Sequence, residues 1–246
     1  MNNLLKENER LDDLQLDSLE IIQRKDGYKF STDSVLLANF AKAKKNDIYV
    51  DLCSGSGVVA ILFSWKNKIN KSYAVEIQSG LADMAQRSIL HNGLSDKIEV
   101  LNQDLSETVN VLGYESVDVI TVNPPYNEVG QTSETDEIAI ATHEIKTNLS
   151  AIVKASSKLL KFGGKLFMVH RADRLTDILY ECRANKLEPK TLRIIYPKAS
   201  KEPNLVLIEA AKGGKSGLKI QKPLILNNED GSETDELKKI YCRKIK

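Results

Sequence analysis

Ile48-Tyr-Val-Asp51-Leu-Cys-Ser-Gly55-Ser-Gly57-Val-Val-Ala60 is a β-branched run that reaches an acid, passes through a two-glycine loop and resumes as an apolar stretch. Strand, tight turn and helix in that order open a βαβ unit, where glycines let the backbone turn and approach a ligand without a Cβ in the way. Outward from this stretch the alternation repeats. Short β-rich runs at Ile48–Leu52, Ser72–Ile77, Lys97–Leu101, Val117–Val122, Lys165–His170, Leu192–Tyr196 and Leu205–Glu209 are separated by segments with apolar residues at helical spacing. They predict an α/β domain with a seven-stranded, mostly parallel sheet and helices on both faces. Only residues 197–204 join the last two strands, too few for a parallel crossover, so the last strand is expected to be antiparallel.

Helices are predicted over Ser31–Ala41, with Ser31, Thr32 and Asp33 as candidate caps, and around Leu81, Met84, Ala85 and Ile89, stopping at Asn92-Gly93. A third follows Leu149, Ile152, Val153, Ser156, Leu159 and Leu160 to a stop at Gly163-Gly164, and a fourth follows Leu175, Ile178, Leu179 and Cys182, with Asp173 as its cap. Three parts are expected: an N-terminal segment and helix packed on the core (residues 1–46), the core itself (47–210) and a C-terminal extension (211–246). The run Lys212-Gly-Gly-Lys-Ser-Gly-Leu-Lys219 makes that extension read as partly flexible.

With 246 residues, 41% hydrophobic and 28% charged, the chain is neither disordered nor collagen-like, and its core needs no disulfide or structural metal. Cys53, Cys182 and Cys242 are odd in number and far apart, without a Cys-x-x-Cys pair, which fits a reducing compartment. His91 and His170 are not spaced as metal ligands. The N-terminus lacks an apolar signal core, and Val58 to Trp65 is far shorter than a membrane span, so a soluble, cytoplasmic protein without a membrane partner is expected. The net charge of +1 argues at first sight against nucleic acid, yet it is a cancellation. Residues 1–150 hold 14 Lys/Arg against 23 Asp/Glu, a balance of −9, whereas residues 151–222 hold 16 against 6, or +10. Such asymmetry hints at a polyanionic ligand, although unequal charging of helix faces explains it as well.

Residues 55–60 also fit the dinucleotide pattern G-x-G-x-x-A, so a nicotinamide oxidoreductase has to be weighed. Two details favour S-adenosylmethionine instead. Asp51 precedes the first glycine by four residues, and a negative charge there suits a sulfonium and an ammonium better than a pyrophosphate. Glu76, at the end of the next strand, can accept from both ribose hydroxyls, and Asp104, followed by Leu105 after the third strand, from an adenine amino group. Each acid alone reads equally well as a helix cap, but three at successive strand ends outline one ligand trough.

The fourth strand ends in Asn123-Pro124-Pro125-Tyr126, beside the point where such a sheet reverses its strand order. Two prolines restrict the backbone, so the Asn123 side-chain oxygen and the Pro124 carbonyl form a fixed pair of acceptors for one planar NH2 group. An exocyclic purine amine is a poor nucleophile because its lone pair is delocalised. Accepting both its N–H bonds favours pyramidalisation as a methyl arrives, which stabilises the transition state more than the ground state. Tyr126 offers an aromatic face for a base turned out of its stack. No metal is required. A rigid Asn-Pro-Pro turn without chemistry is the competing reading.

With these residues in view, the chain resembles the class I, Rossmann-like S-adenosylmethionine-dependent methyltransferases of the Asn-Pro-Pro-Tyr type. More narrowly, it is similar to the bacterial valine-tRNA adenine-N6 methyltransferases. The likeness extends over Asp26-Gly-Tyr-Lys-Phe-Ser-Thr-Asp-Ser-Val-Leu-Leu-Ala38, the glycine loop, Asn123 to Tyr126, Val169-His-Arg-Ala-Asp-Arg-Leu175, Pro197-Lys-Ala-Ser-Lys201, Lys212-Gly-Gly-Lys215 and Glu229-Asp-Gly-Ser-Glu-Thr234. The resemblance implies methyl transfer to the adenine just 3′ of the anticodon, with Phe30 and Thr32 at the methionine end of the cofactor. By that resemblance, Cys53 stands where many methyltransferases carry glycine. A guanine-N2 ribosomal RNA methyltransferase and a protein-glutamine methyltransferase share the motif, although the latter places a helical domain before the glycine loop. A DNA adenine methyltransferase ordinarily carries a target-recognition insertion longer than any segment here. If the partner is tRNA, Arg171, Arg174, Lys198, Lys201, Lys212 and Lys215 are candidates for phosphate contacts, and His143 and Glu144 for a lid over the target base. No obligate protein partner is evident.

Overall fold

The computed structural model describes residues 4–26, 31–124 and 149–243. It opens with an antiparallel hairpin, β1 (Glu9–Asp13) and β2 (Glu20–Arg24), and then α1 (Thr32–Phe40). There follow β3 (Ile48–Leu52), α2 (Val58–Asn67), β4 (Lys71–Glu76), α3 (Ser79–His91), β5 (Ile98–Asn102), α4 (Thr108–Leu112) and β6 (Val117–Val122). The rest comprises α5 (Leu149–Leu159), β7 (Leu160–Arg171), α6 (Leu175–Ala184), β8 (Leu187–Tyr196), β9 (Leu205–Lys212), the short β10 (Lys219–Ile220) and β11 (Leu224–Ile225), and α7 (Asp235–Ile240).

The main sheet runs β10-β8-β9-β7-β6-β3-β4-β5, with β11 also paired to β8. Strands β3 to β9 are the seven expected from the sequence, and β9 lies between β7 and β8, antiparallel to both. From β3 the chain builds outward to β4 and β5, then returns to place β6 on the other flank of β3. The two central strands are parallel and in register, with Asp51 opposite Thr121 and Leu52 opposite Val122. Ligands of such sheets bind in the crevice beyond the carboxyl ends at this reversal.

Successive strand residues point to opposite faces, and the core divides accordingly. Tyr49, Val119 and Phe167 pack with Leu36 and Leu37 of α1 and Ile61 and Phe63 of α2, whereas their neighbours Val50, Ile120 and Met168 pack with Ile152, Val153 and Leu159 of α5 and Ile178 of α6. Helices therefore cover both faces. Among the described residues no helix is long and apolar enough to cross a membrane.

Several local expectations need correction. Helix α5 stops at Leu159 and passes directly into β7, with Gly163 and Gly164 inside the strand. Val117 opposes Leu160 and Val119 opposes Lys165, so residues 161–164 bulge from the ladder, and Gly163 takes the left-handed φ of +80° that this demands. Asp173 does not cap α6: it pairs with Arg171, and Arg174 occupies the cap position without a side-chain cap hydrogen bond, its guanidinium pairing with Asp177 instead. Ser31 likewise sits at the cap of α1 without a side-chain cap bond. The C-terminal extension is not a loose tail over its described residues. Leu224 and Leu237 are buried in the core shared with α1 and α2, and this burial outweighs the glycine- and lysine-rich composition that reads as linker.

The hairpin was not legible either, because its strands are short and charged. It is held by α3: Ile22 N–H donates to Ser88 Oγ (3.0 Å), Glu20 N–H to Asn92 Oδ1 (3.0 Å), and Arg87 grips both oxygens of Glu9 at 2.7 Å. His91 Nε2 meets Glu20 Oε2 at 2.7 Å. The Arg87 and Glu9 side chains are only 16% and 8% exposed, so breaking the pair strands a carboxylate. Arg87→Ala is therefore expected to lower stability by about 2–3 kcal/mol, read from the midpoint of urea unfolding.

Candidate active site

Residues 53–57 turn from β3 into α2 by way of left-handed conformations at Cys53 (φ +57°), Gly55 (φ +56°) and Gly57 (φ +92°). The two glycines serve different ends. A Cβ on Gly57 would approach Ala85 Cβ of α3 to 3.2 Å, so Gly57 permits close packing, whereas nothing lies within 4 Å of a Cβ built on Gly55, whose face is open for a ligand. Cys53 keeps the left-handed turn against the ordinary preference of a residue with a side chain.

Asp51, the penultimate residue of β3, is 1% exposed. Its Oδ1 accepts from Thr121 Oγ1 (2.6 Å), which shares a 2.6 Å hydrogen bond with Tyr49 Oη; as Thr121 spends its one proton on Asp51, Tyr49 is the donor. Burial pushes the Asp51 carboxyl up to about 7, opposed by the Thr121 hydrogen bond and reinforced by the nearby Glu76 charge. Its Oδ2, like Ser54 Oγ and Ser31 Oγ, is buried without a hydrogen-bond partner among the described residues. Each such atom costs about 1–3 kcal/mol, which a ligand offering donors or a cation recovers.

Glu76, 5% exposed at the end of β4, accepts from Gly55 N–H through Oε2 (2.8 Å) and from Gln78 N–H through Oε1 (2.9 Å). It ties the glycine loop to the neighbouring strand, and each oxygen keeps a second lone pair for a ligand hydroxyl. Burial raises its carboxyl, and these N–H donors hold it down. Asp104 caps the turn after β5 by accepting from Ser106 N–H (2.8 Å) and Oγ (2.7 Å), all through Oδ1. Leu105 beside it is 7% exposed. Thus Asp51 and Glu76 lie near the carboxyl ends of β3 and β4 and Asp104 just beyond that of β5, at one edge, and Asp104 also plays the capping part that competed with a ligand role.

Asn123 follows β6 at that edge, and its Nδ2 donates to Ser34 Oγ of α1 at 3.1 Å. Thr32, the first residue of the same helix, accepts from Tyr241 Oη at 3.3 Å. Pro124 is described. Phe30, Pro125, Tyr126, His143 and Glu144 lie outside the described residues.

The basic candidates do not form one face. Arg171 ends β7 and Arg174 follows it, and the loop after β8 carries Lys198 and Lys201, all at the carboxyl edge with Asn123. Lys212 ends β9, which runs the other way, so with Lys215 it lies at the opposite edge, roughly 20 Å along the strand direction. There Lys212 Nζ binds Glu115 (3.0 Å) and the Leu160 carbonyl (2.8 Å). At the carboxyl edge Arg171 pairs with Asp173, Arg174 with Asp177 (2.8 Å), and Lys198 Nζ donates to the Glu229 carbonyl (3.0 Å).

The family model of the methyltransferase small domain matches residues 29–182, from the segment before α1 into α6. The chain belongs to the methyltransferase small domain family. This methyltransferase domain is 24% identical over 208 residues to the tRNA1(Val) (adenine(37)-N6)-methyltransferase of Aeromonas hydrophila, covering 84% of this chain and 86% of that one. It is 24% identical over 187 residues to the protein of the same name from Porphyromonas gingivalis, covering 74% and 73%. Among solved structures it superposes on a predicted O-methyltransferase from Agrobacterium tumefaciens with a TM-score of 0.71 at 20% identity, covering 85% and 95%. The M. jannaschii TYW2 protein, solved with AdoMet, gives 0.57 at 15%, covering 84% and 86%. Both share the Rossmann-like methyltransferase fold.

Sequence reasoning missed several residues of this methyltransferase site. Thr121 and Tyr49 support Asp51, Asn102 Nδ2 latches the end of β5 to the Glu76 carbonyl (2.8 Å), and Ser34 holds Asn123. A hydroxyl within the apolar run Val119–Val122 marks Thr121. Ser34 has no comparable signal, since its partner is 89 residues away.

Proposed function

We propose that the protein transfers a methyl group from S-adenosylmethionine to the exocyclic N6 of an adenine in tRNA, the base 3′ of the anticodon of valine tRNA. The observation that carries this is Asn123, an amide just past the carboxyl end of β6, one strand over from the buried Asp51 of β3 across the strand reversal. The named relatives, matched over most of both chains, support the substrate. Bound S-adenosylmethionine supplies a methyl group on a positively charged sulfur. Asp51 faces the amino-acid ammonium, and Gly55 lets the backbone approach. Glu76 takes the ribose hydroxyls, Asp104 takes the adenine amino group, and Leu105 lies against the ring. Phe30 and Thr32 complete the methionine end. Asn123 Oδ1 and the Pro124 carbonyl accept the two N–H bonds of the target amine, with Pro125 fixing the turn and Tyr126 stacking on the extruded base. A tRNA substrate places the protein in the cytoplasm.

Radiolabelled methyl from S-adenosylmethionine, offered to total RNA and to protein, followed by nucleoside analysis, tests the reading. N6-methyladenosine in small RNA is expected; N2-methylguanosine or labelled protein overturns the substrate. Binding of a nicotinamide dinucleotide without methylation overturns the reaction class.

For the tRNA, the carboxyl-edge cations are proposed as the phosphate contacts. Replacing Arg171, Arg174, Lys198 and Lys201 together by serine is expected to flatten the slope of log affinity against log salt by about three, at ~0.7–0.9 per lost phosphate contact. Replacing Lys212 and Lys215 should leave it unchanged. A filter-binding salt titration in which the two variants behave alike would show that RNA lies elsewhere.

A further inference from the structure

Asp51 shares one face of the sheet with two hydroxyls. Tyr49 precedes it by two residues on β3, and strand register sets Thr121 of β6 opposite it, so all three side chains leave the same side. Tyr49 and Thr121 are fully buried, and the Tyr49 ring packs on Phe63 with centroids 4.3 Å apart. The hydroxyls form a chain, Tyr49 Oη to Thr121 Oγ1 at 2.6 Å and Thr121 Oγ1 to Asp51 Oδ1 at 2.6 Å. We infer that Thr121 and Tyr49 are positioning residues for the cationic end of the cofactor, engaging one Asp51 oxygen so that the carboxylate keeps the charge the cation meets; this rests on Asp51 being the partner of that cation.

The number of protons in the chain decides its direction. An ionised carboxylate only accepts, so Thr121 donates to Asp51 and is left to accept from Tyr49. Two protons then serve two contacts, and neither hydroxyl is stranded. Protonating Asp51 adds a third proton without adding a contact. Placed on Oδ1, it reverses the chain and leaves the Tyr49 proton without an acceptor among the described residues; placed on Oδ2, it sits on an atom that is buried with no hydrogen-bond partner. A buried O–H without an acceptor is costly, so the chain favours the ionised carboxylate in spite of its burial.

Other groups act on the same carboxyl. Burial and the Glu76 charge on β4 oppose its ionisation, and the Ala60 N–H, in the first turn of α2, supports it together with Thr121. Cys53 in the following loop is pushed up by burial and by the charges of Glu76, Asp51 and Asp104, and burial and the Asp51 charge push the Tyr49 phenol up as well. Both therefore stay protonated near neutral pH, which keeps Tyr49 a donor. Thr121 carries no charge, so it acts on Asp51 only through its hydroxyl.

The test measures S-adenosylmethionine binding by calorimetry from about pH 5.5 to 8.5 for Thr121→Val, Thr121→Ser, Tyr49→Phe and Asp51→Asn, each as a ratio to wild type at the same pH, with thermal melting alongside. Thr121→Val keeps the shape and removes the donor. The pH below which affinity falls is expected to move up by about one unit, so binding is about five- to tenfold weaker at pH 6 to 7 and close to wild type at pH 8.5. Tyr49→Phe should act in the same direction by about two- to threefold, and Thr121→Ser, which keeps the hydroxyl, should follow the wild-type curve. If Thr121→Val alone melts too low to titrate, combining it with Tyr49→Phe removes the stranded phenol and carries the same expectation. A Thr121→Val curve that overlays wild type while Asp51→Asn loses affinity overturns the role of the hydroxyls and leaves that of Asp51 standing. Wild-type affinity in Asp51→Asn overturns both. A loss in Thr121→Val that is equal at every pH, or that Thr121→Ser shares, reduces Thr121 to packing and overturns the inference.

Discussion

Asn123→Ala is expected to lower kcat for methyl transfer by about 10²–10³-fold, while the affinity for S-adenosylmethionine stays near wild type. The asymmetry follows from where the residue sits. Asn123 lies at the end of β6, and the described groups suited to the cofactor's charge and hydroxyls, Asp51 and Glu76, belong to β3 and β4. In the proposed reaction, removing the amide deletes an acceptor whose bond strengthens as the target nitrogen becomes pyramidal, so the loss is expected on the transition state and not on cofactor binding. Single-turnover transfer from radiolabelled S-adenosylmethionine, with cofactor affinity measured by calorimetry, separates the two. A variant with kcat close to wild type would remove Asn123 from the chemistry.

The second large effect is expected at Asp51, and it carries a pH signature. With its carboxyl pushed up to about 7 by burial, the free protein holds Asp51 protonated below that pH. A cationic ligand binds the ionised form, so the dissociation constant for S-adenosylmethionine should be flat above pH 7 and rise about tenfold per unit below it. Asp51→Asn is expected to weaken binding by about 100-fold at pH 8 and to abolish this dependence. Stability should move in the opposite sense. A carboxyl whose folded value lies above its unfolded value near 3.8 makes the ligand-free protein lose stability as pH rises from about 4 to about 7. Asparagine has no such loss, so the ligand-free variant should be the more stable of the two at pH 8, by up to about 4 kcal/mol. Calorimetric titrations from pH 5.5 to 8.5 and urea unfolding check both halves. A dissociation constant indifferent to pH would mean that Asp51 does not meet the cation.

The seven-stranded α/β core, the glycine turn and the three acids at strand ends were all legible in the residue order, because each depends on short-range features. Alternation of β-branched runs with helical periodicity needs only ten or so neighbouring residues, and a glycine's backbone freedom needs none. Even the antiparallel last strand was legible, since eight connecting residues cannot span a parallel crossover. Charge asymmetry was legible as a number but not as a surface. The +10 segment divides because β9 reverses direction, which carries Lys212 and Lys215 away from Arg171 and Lys198 to the far edge of the sheet. Distance in space also placed Ser34 under Asn123, Thr121 against Asp51 and Arg87 against Glu9, pairs separated by 89, 70 and 78 residues. Such contacts are products of strand register and helix packing, which bring together side chains that no local pattern relates. The residue order thus determined which chemical groups the site contains, and the packed structure decided which of them hold one another in place.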